Sequence, residues 1–422
     1  MAFADDYLKK HALFLPSIQV KPTQDLGIIV VIPCLNEWMV IDSLSSLYHC
    51  ERPPCKVEVI IVINHSVSAS EEVKNQNHRT LVQIKNWMVN QNDDFLQFYP
   101  IIFEDLPEKH AGAGLARKIG MDEAIFRFNS LEVENGIIAC FDADAICSPN
   151  YFIELFRLRL QHPKFCACSV HFEHPLSGDF PQEQYVAIAK YEAHLRYLKI
   201  SMQNSGFPYA YHTVGSAMAV RASTYCKQGG MNKRKAGEDF YFLHKIIPLG
   251  NFFELNSTMV IPSARVSDRV PFGTGAAMMK SIVYKEDIRT YHPASFEILS
   301  LFFQHCNFFF DYLKTNLMEC KTKIPVEIFT YMGEEVLISE LLNVRNNSST
   351  LDHFRNRFFK WFDAFKIIRF LNTIHDGIMD KIEVTEACEI LLKKLNIELP
   401  ENSTIFELLE TLRKYEKKDS TK

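Results

Sequence analysis

Apolar, β-branched runs alternate with helix-forming stretches through the first two-thirds of the chain, and this alternation constrains the fold more than any other feature. The runs cover residues 27–32, 57–63, 96–104 and 136–141. Short apolar runs of this kind are typical of buried strands. Strands that alternate with helices predict βαβ units. The sequence therefore predicts an α/β fold with a Rossmann-like, mostly parallel central sheet flanked by helices.

Polar residues follow three of these runs where each strand should end. Residues 33–37 follow the first run, residues 64–66 end the second, and Asp142 and Asp144 follow the fourth. Because ligands of parallel sheets bind beyond the carboxyl ends of the strands, we expect these segments to line one site. Two carboxylates at i and i+2 can share one Mg²⁺ or Mn²⁺, which also binds substrate phosphates. Taken alone, such a pair is also common as a solvated turn or a helix cap.

Composition excludes several classes of protein. The 422 residues suggest one large or two moderate domains, and the net charge of −5 gives no support to nucleic-acid binding. No apolar run approaches the roughly 18 residues that span a bilayer, and residues 1–27 lack the apolar core of a signal peptide. The eleven cysteines are scattered and mostly lie in apolar runs. This pattern predicts reduced, buried thiols and a cytoplasmic protein.

The sequence pattern changes near residue 291, where long amphipathic stretches begin and predict an all-helical C-terminal module. An aromatic stripe runs at helical spacing from Phe354 to Ile368, with basic residues around it. Such a helix either packs its stripe against neighbours or lies on an anionic membrane, so peripheral membrane contact stays open. Thr404 and Glu407 have the spacing of a capping box that begins a last helix. The predicted division is an N-terminal extension (1–25), an α/β domain (26–288) and a helical domain (289–422).

Six motifs occur in a fixed order along residues 26–277. They are Val-Ile-Pro-Cys-Leu-Asn-Glu (31–37), Asn-His-Ser (64–66), Ala-Gly-Leu-Ala-Arg-Lys-Ile-Gly (113–120), Phe-Asp-Ala-Asp (141–144), Gly-Ser-Ala-Met-Ala-Val-Arg (215–221), and Gly-Gly (229–230) with Gly-Glu-Asp (237–239). In this order the segment resembles a soluble, bacterial-type family 2 glycosyltransferase with the GT-A fold and a DxD motif. The resemblance implies a hexosyltransferase-type enzyme. It would move a sugar, with inversion, from a nucleotide-diphosphate donor, first of all a UDP-sugar, to an acceptor hydroxyl. The acceptor stays open, with lipid-linked and saccharide acceptors as candidates.

The resemblance also implies roles for single residues. It places Mn²⁺ or Mg²⁺ on Asp142, Asp144 and Asp268, with His292 as the rival third ligand. Asp239 would be the general base and Glu238 its supporting neighbour. The donor-binding set is Pro33, Asn36, Glu37, Asn64, Ser66, Arg117, Lys118, Asp142, Arg269 and Gly273.

Several alternatives stay open. Asn36 could instead cap a helix, and the acids at 238 and 239 could simply favour the first turn of a helix through its dipole. Arg117 and Lys118 could form a solvated helix face. Asn64 stands where the family usually has an aspartate, which leaves the donor undefined. A catalytically inactive nucleotide-sugar-binding or scaffold protein is the second hypothesis. A nucleotidyltransferase is disfavoured, because residues 33–37 form no Gly-rich basic loop.

Overall fold

The structure is a computed structural model that describes residues 2–91, 93–266 and 273–419. Within these ranges, eight strands form one sheet in the order β3-β2-β1-β4-β7-β6-β8-β5. The strands are β1 (Leu26–Cys34), β2 (Lys56–Ser66), β3 (Leu96–Leu106), β4 (Ile137–Cys140), β5 (Ile146–Cys147), β6 (Ala167–Phe172), β7 (Met218–Arg221) and β8 (Phe252–Ile261).

Helices account for most of the other described elements. They are α1 (Asp5–His11), α2 (Val40–Tyr48), α3 (Glu71–Val89), α4 (Ala113–Ser130), α5 (Tyr151–Gln161), α6 (Gln182–Asn204), α7 (Ala222–Lys227), α8 (Glu238–Ile246), α9 (Thr274–Val283), α10 (Pro293–Gln304), α11 (Cys306–Tyr312), α12 (Leu317–Thr322), α13 (Val326–Met332), α14 (Glu334–Asn346), α15 (Leu351–Trp361), α16 (Ala364–Gly377), α17 (Val384–Lys394) and α18 (Ile405–Asp419). A 3-10 turn follows α8 at Ile247–Leu249.

The predicted α/β class is confirmed. Strands β3, β2, β1 and β4 are parallel neighbours, and β6 is parallel to β8. Strand β7 runs antiparallel between β4 and β6, and β5 runs antiparallel to β8. The sheet is therefore mostly parallel, and the carboxyl ends of β1, β2 and β4 meet at one edge.

Strand β1 continues through Pro33 to Cys34, two residues beyond the apolar run at 27–32. The N–H of Phe141 donates to the carbonyl of Val31, which faces β4, and Pro33 faces the same side two residues later. Because β4 ends at Cys140, Pro33 has no β4 residue opposite it, and its missing N–H removes no bond from the ladder.

The described chain folds into two compact units. The first contains Met1–Phe180 and Thr213–Ala276, and the second contains Pro181–His212 and Ala277–Lys422. Helix α1, from the predicted N-terminal extension, is part of the first unit, where the Tyr7 hydroxyl donates to Asp122 at 2.6 Å. The division at residues 26 and 289 stays a prediction, and the compact units differ from it because α6 groups with the C-terminal helices.

The second unit is helical, with one correction to the prediction. Two-residue strands, β9 (Arg289–Thr290) and β10 (Ile382–Glu383), pair antiparallel within it, and they are too short to leave a signal in the sequence. The capping box is confirmed, since the backbone N–H of Thr404 donates to the Glu407 carboxylate at 2.7 Å and that of Glu407 donates to the Thr404 hydroxyl at 3.3 Å.

The aromatic stripe in the second unit packs against neighbouring rings. Phe354 and Phe358 are buried, and Phe358 contacts Phe302 of α10 with ring centroids 5.3 Å apart. Phe354 and Phe358 are therefore core residues, and the alternative that these two rings face a membrane is wrong. None of the helices in the described part of the chain is long and apolar enough to cross a bilayer.

Helix α4 lies directly against the sheet, and this packing positions the first turns of the helix at the sheet edge. A Cβ atom added at Gly120 would lie 2.4 Å from Cγ1 of Val31 and 3.0 Å from Cγ2 of Val62. The absence of a side chain at Gly120 is what allows the helix to approach β1 and β2 so closely. At the far end of α4, the guanidinium of Arg127 binds the buried carboxylate of Glu58.

We predict that Gly120→Ala lowers the free energy of unfolding by about 1–3 kcal/mol, because the added methyl group overlaps Val31 in a closely packed core. Urea denaturation followed by circular dichroism measures the change. Gly377→Ala is the matched control, since a Cβ there meets nothing within 4 Å and should leave stability unchanged or slightly higher. Equal stability of wild type and Gly120→Ala would contradict this packing of α4.

Candidate active site

The acid pair lies at the carboxyl end of β4, as predicted. After the strand ends, the N–H of Ala145 donates to the carbonyl of Asp142 at 3.1 Å and closes a turn. This turn holds Asp142 and Asp144 beside the ends of the neighbouring parallel strands. Asp142 keeps 37% of its side-chain surface exposed, so the pair can be reached from solvent.

Arg117 joins the acid pair to the second predicted acidic motif. Its Nη2 donates to Oδ1 of Asp142 at 2.5 Å, and its Nη1 donates to Oε1 of Glu238 at the start of α8. Arg117 and Glu238 are buried, with 4% and 3% of their surfaces exposed. A Cβ at Gly215 would lie 2.8 Å from Nη2 of Arg117, so the small residue makes room for the guanidinium. The sequence-predicted residues Arg117, Asp142 and Glu238 thus form one cluster.

A second buried arginine, Arg265, holds the other acid. Its Nη1 donates to Oε1 of Glu37 at 3.0 Å, its Nη2 donates to Oε2 of Glu37, and its Nε lies 2.7 Å from Oδ2 of Asp144. Arg265 was not predicted from the sequence. The only sequence signal was a basic residue shortly after the apolar β8 segment, beside the Gly-rich cluster, and no motif marks it.

Glu37 positions the site from within. Its carboxylate is completely buried and also accepts from the backbone N–H groups of Trp38 and Met39, each at 3.0 Å. Glu37 therefore orients Arg265 and the entry to α2, and the predicted direct contact between Glu37 and a nucleoside has no support in this geometry. Asn36 does not cap α2. It has a left-handed backbone with φ of 51°.

A buried amide on α3 connects the ends of β1 and β2. Asn77 accepts from the backbone N–H of Asn36 at 2.9 Å through Oδ1, and its Nδ2 donates to the carbonyl of Asn64 at 3.0 Å. Asn77 was not identified from the sequence, because a polar residue within an amphipathic helix carries no motif. Nδ2 of Asn64 is buried and has no hydrogen-bond partner among the described residues. Buried donors are normally paired, so this amide is a candidate ligand contact.

The remaining predicted donor residues differ in placement. Pro33 lies near the end of β1, and Ser66 ends β2 with its hydroxyl 3.2 Å from that of Ser68. Gly273 is exposed and has φ of 96°. The predicted ligands Asp268 and Arg269 lie outside the described residues.

Lys118 is not part of the cluster. Its ammonium donates to Oδ2 of Asp122 at 2.6 Å and to the Tyr7 hydroxyl at 2.8 Å, in a buried group that anchors α1. Consecutive residues of a helix point about 100° apart, so Arg117 and Lys118 face different surroundings. The expectation that Lys118 contacts the donor is corrected accordingly. The alternative of a solvated helix face is also wrong for both residues, which are buried.

The electrostatic environment brings the pKa of one carboxyl group close to neutral pH. Burial raises the pKa of Asp239 to about 7, the adjacent Glu238 adds to the rise, and Arg117 opposes it. The N–H of Phe240 donates to Oδ1 of Asp239 at 2.7 Å. Burial likewise raises the pKa of Asp144 to about 6, although the Arg265 guanidinium lowers it. A carboxyl group with a pKa near 7 can accept a proton at physiological pH.

Asp142 and Asp144 fit a divalent cation that arrives with a phosphate ligand. Among the described residues, no group of three or more His, Cys, Asp or Glu side chains could hold a metal ion. Mg²⁺ commonly needs only one or two carboxylates, with substrate phosphates and water completing its shell. The arginine-linked cluster contains four carboxylates and two guanidinium groups, so it retains two negative charges. One divalent cation would neutralise them.

The rival third ligand, His292, has a different role. Its Nδ1 accepts from the N–H of Ala294 at 3.2 Å and caps α10. Its backbone N–H donates to His375 at 2.8 Å. Both contacts lie within the second unit, and they give His292 a structural function there.

Comparison with known proteins gives only distant similarity. No protein-family model and no curated protein matches the chain. Among solved structures, the chain is similar to S. aureus TarS 1–349 in complex with UDP-GlcNAc, with 13% identity and a TM-score of 0.41 over 80% of this chain and 91% of that chain. For the same fragment with UDP the values are 14% and 0.39, over the same shares. Similarity at this level assigns no function to the chain.

Proposed function

We propose that this protein is a metal-dependent, inverting glycosyltransferase that moves a sugar from a nucleoside-diphosphate donor, first of all a UDP-sugar, to an acceptor hydroxyl. One observation carries the proposal. Arg117 binds Asp142 of the strand-end acid pair and Glu238 of the second acid pair, which brings a candidate donor site and a candidate base, Asp239, into one cluster. The ordered motifs and their resemblance to family 2 glycosyltransferases support the same activity.

The donor would lie along the carboxyl ends of β1, β2 and β4. The unpaired amide of Asn64 would donate to the nucleoside, and the diphosphate would lie beside Asp142 and Asp144. A cation held by these two acids would supply positive charge to the leaving diphosphate; a unit-charge pair about 4 Å apart, at an effective dielectric near 20, is worth roughly 4 kcal/mol. The guanidinium of Arg117 can also stabilise the negative charge of the leaving diphosphate, because it lies beside Asp142 at the same edge of the sheet.

Asp239 would act on the acceptor side. Its carboxylate takes the proton of the acceptor hydroxyl while the hydroxyl oxygen attacks the anomeric carbon opposite the bond to the diphosphate. The bond between the anomeric carbon and the diphosphate oxygen breaks, and the nucleoside diphosphate leaves. The sugar is then bonded to the acceptor with inverted configuration at its anomeric carbon. Glu238, fixed by Arg117, keeps the first turn of α8 and therefore Asp239 in position.

A nucleotide-sugar-binding or scaffold protein is the second candidate. Asn64 favours it, because the aspartate usual in the family is missing. The pKa of Asp239, raised by burial to about 7, favours the enzyme instead, since a protein that only binds a nucleotide sugar has no use for a base poised near neutrality. The proposal also includes membership of glycosyltransferase family 2 and a location in the cytoplasm. It names the acceptor only as a hydroxyl group.

A nucleotide-sugar panel tests the proposed activity. We expect the wild type with Mn²⁺ to release nucleoside diphosphate slowly from one of UDP-, GDP- or dTDP-sugars, and we expect EDTA to abolish the release. Asp142→Asn should lower the rate at least about 100-fold, because it removes a charged contact to the cation. Glu72→Gln, an exposed acid on α3, is the control and should match wild type. Nucleotide binding without release from any sugar, with or without added acceptors, would favour the binding protein.

The pH dependence tests the base. Below about pH 7 the Asp239 carboxyl is protonated and cannot accept the acceptor proton, so kcat/KM should rise as pH increases through 7 and then level off. Asp239→Asn should lower kcat by about 10² to 10⁴ and leave UDP affinity near wild type. A flat profile between pH 5.5 and 8.5 (about one and a half units on each side), or near-normal turnover of Asp239→Asn, would reject this residue as the base.

A further inference from the structure

Both acids that we propose as metal ligands already have a cationic partner. Nη2 of Arg117 lies 2.5 Å from Asp142, and Nε of Arg265 lies 2.7 Å from Asp144. Each arginine also binds a second buried glutamate, Glu238 or Glu37. A lone divalent cation at the acid pair would therefore compete with a guanidinium group for the oxygens of each carboxylate.

A diphosphate changes this balance. Guanidinium groups bind phosphate oxygens strongly, and phosphate oxygens are also ligands of Mg²⁺ and Mn²⁺. Nε of Arg117 is buried and has no hydrogen-bond partner among the described residues, so Arg117 retains a donor for a ligand. When its guanidinium turns from Asp142 to a phosphate, Glu238 still binds it on the other side. Arg117 can therefore exchange Asp142 for a phosphate, and its contact with Glu238 keeps the guanidinium paired throughout.

We propose that Arg117 is a positioning residue. It occupies Asp142 and so weakens the binding of a free cation, and it releases Asp142 when a cation arrives bound to a nucleoside diphosphate. Cation and donor then bind together, and the cluster stays internally paired when the donor is absent. This inference rests on the proposed function, because it assumes that the acid pair receives a metal–diphosphate complex. If Arg117 has this role, its removal raises the affinity for Mn²⁺ alone. Removal of a residue that merely supports the fold would lower that affinity.

Electron paramagnetic resonance of free Mn²⁺ measures this effect directly and requires no turnover. For wild type, we expect saturating UDP to tighten Mn²⁺ binding about tenfold or more. For Arg117→Gln, we expect Mn²⁺ alone to bind about tenfold more tightly than to wild type, with the further effect of UDP largely lost. Arg117→Lys keeps the charge and should restore the wild-type behaviour. Lys74→Gln, which removes a charge on α3 outside the site, should change neither value.

A double variant guards against loss of folding. Arg117→Gln alone leaves the buried Glu238 carboxylate unpaired, whereas Arg117→Gln with Glu238→Gln removes both charges and leaves two amides. The double variant should show the same rise in affinity for Mn²⁺ alone. If either folded variant binds Mn²⁺ no more tightly than wild type, the inference is overturned and the proposed function stands. If wild type binds neither Mn²⁺ nor UDP, the proposed function itself fails.

Discussion

The burial of charge at one edge of the sheet is the constraint on which the rest of the site depends. Arg117 and Arg265 lie almost wholly inside the protein, and a charged group so placed is stable only when it is paired. Each guanidinium is shared by two carboxylates from distant parts of the sequence. Because these pairs must form together, they fix where the end of β4, the first turns of α4 and α8, and the segment after β1 meet.

Buried ion pairs contribute little net stability to a fold. Their presence here therefore indicates a functional role. Replacing a buried pair by apolar residues of similar volume is often neutral or stabilising, so a fold alone has little need of such a cluster. The net negative charge of the cluster, its partly exposed Asp142 and the unpaired amide of Asn64 are instead useful to a ligand that carries a cation and hydrogen-bond acceptors. The pairs organise the site in the absence of that ligand.

Local sequence patterns predicted the strands and helices well, because periodicity and turn residues report directly on the backbone. The same patterns identified Asp142 and Asp144, which follow a strand end, whereas the role of Glu238 came only from the resemblance to family 2 glycosyltransferases. Arg265 was not predictable in this way, since its partner Glu37 is 228 positions away and nothing local marks the pairing. Lys118 shows the opposite error: it shares a motif with Arg117, but the helical turn between them places it in a different environment. Helical periodicity could have separated these two residues before the structure was known.

The most direct test of the central claim is the anomalous diffraction of manganese in crystals grown with UDP and Mn²⁺. We expect one manganese peak within about 2 Å of carboxylate oxygens of both Asp142 and Asp144, with the remaining ligands supplied by the UDP phosphates and water. We also expect the guanidinium of Arg117 to contact a phosphate oxygen. UDP bound elsewhere, or a manganese peak away from these two acids, would contradict the proposed donor and metal site.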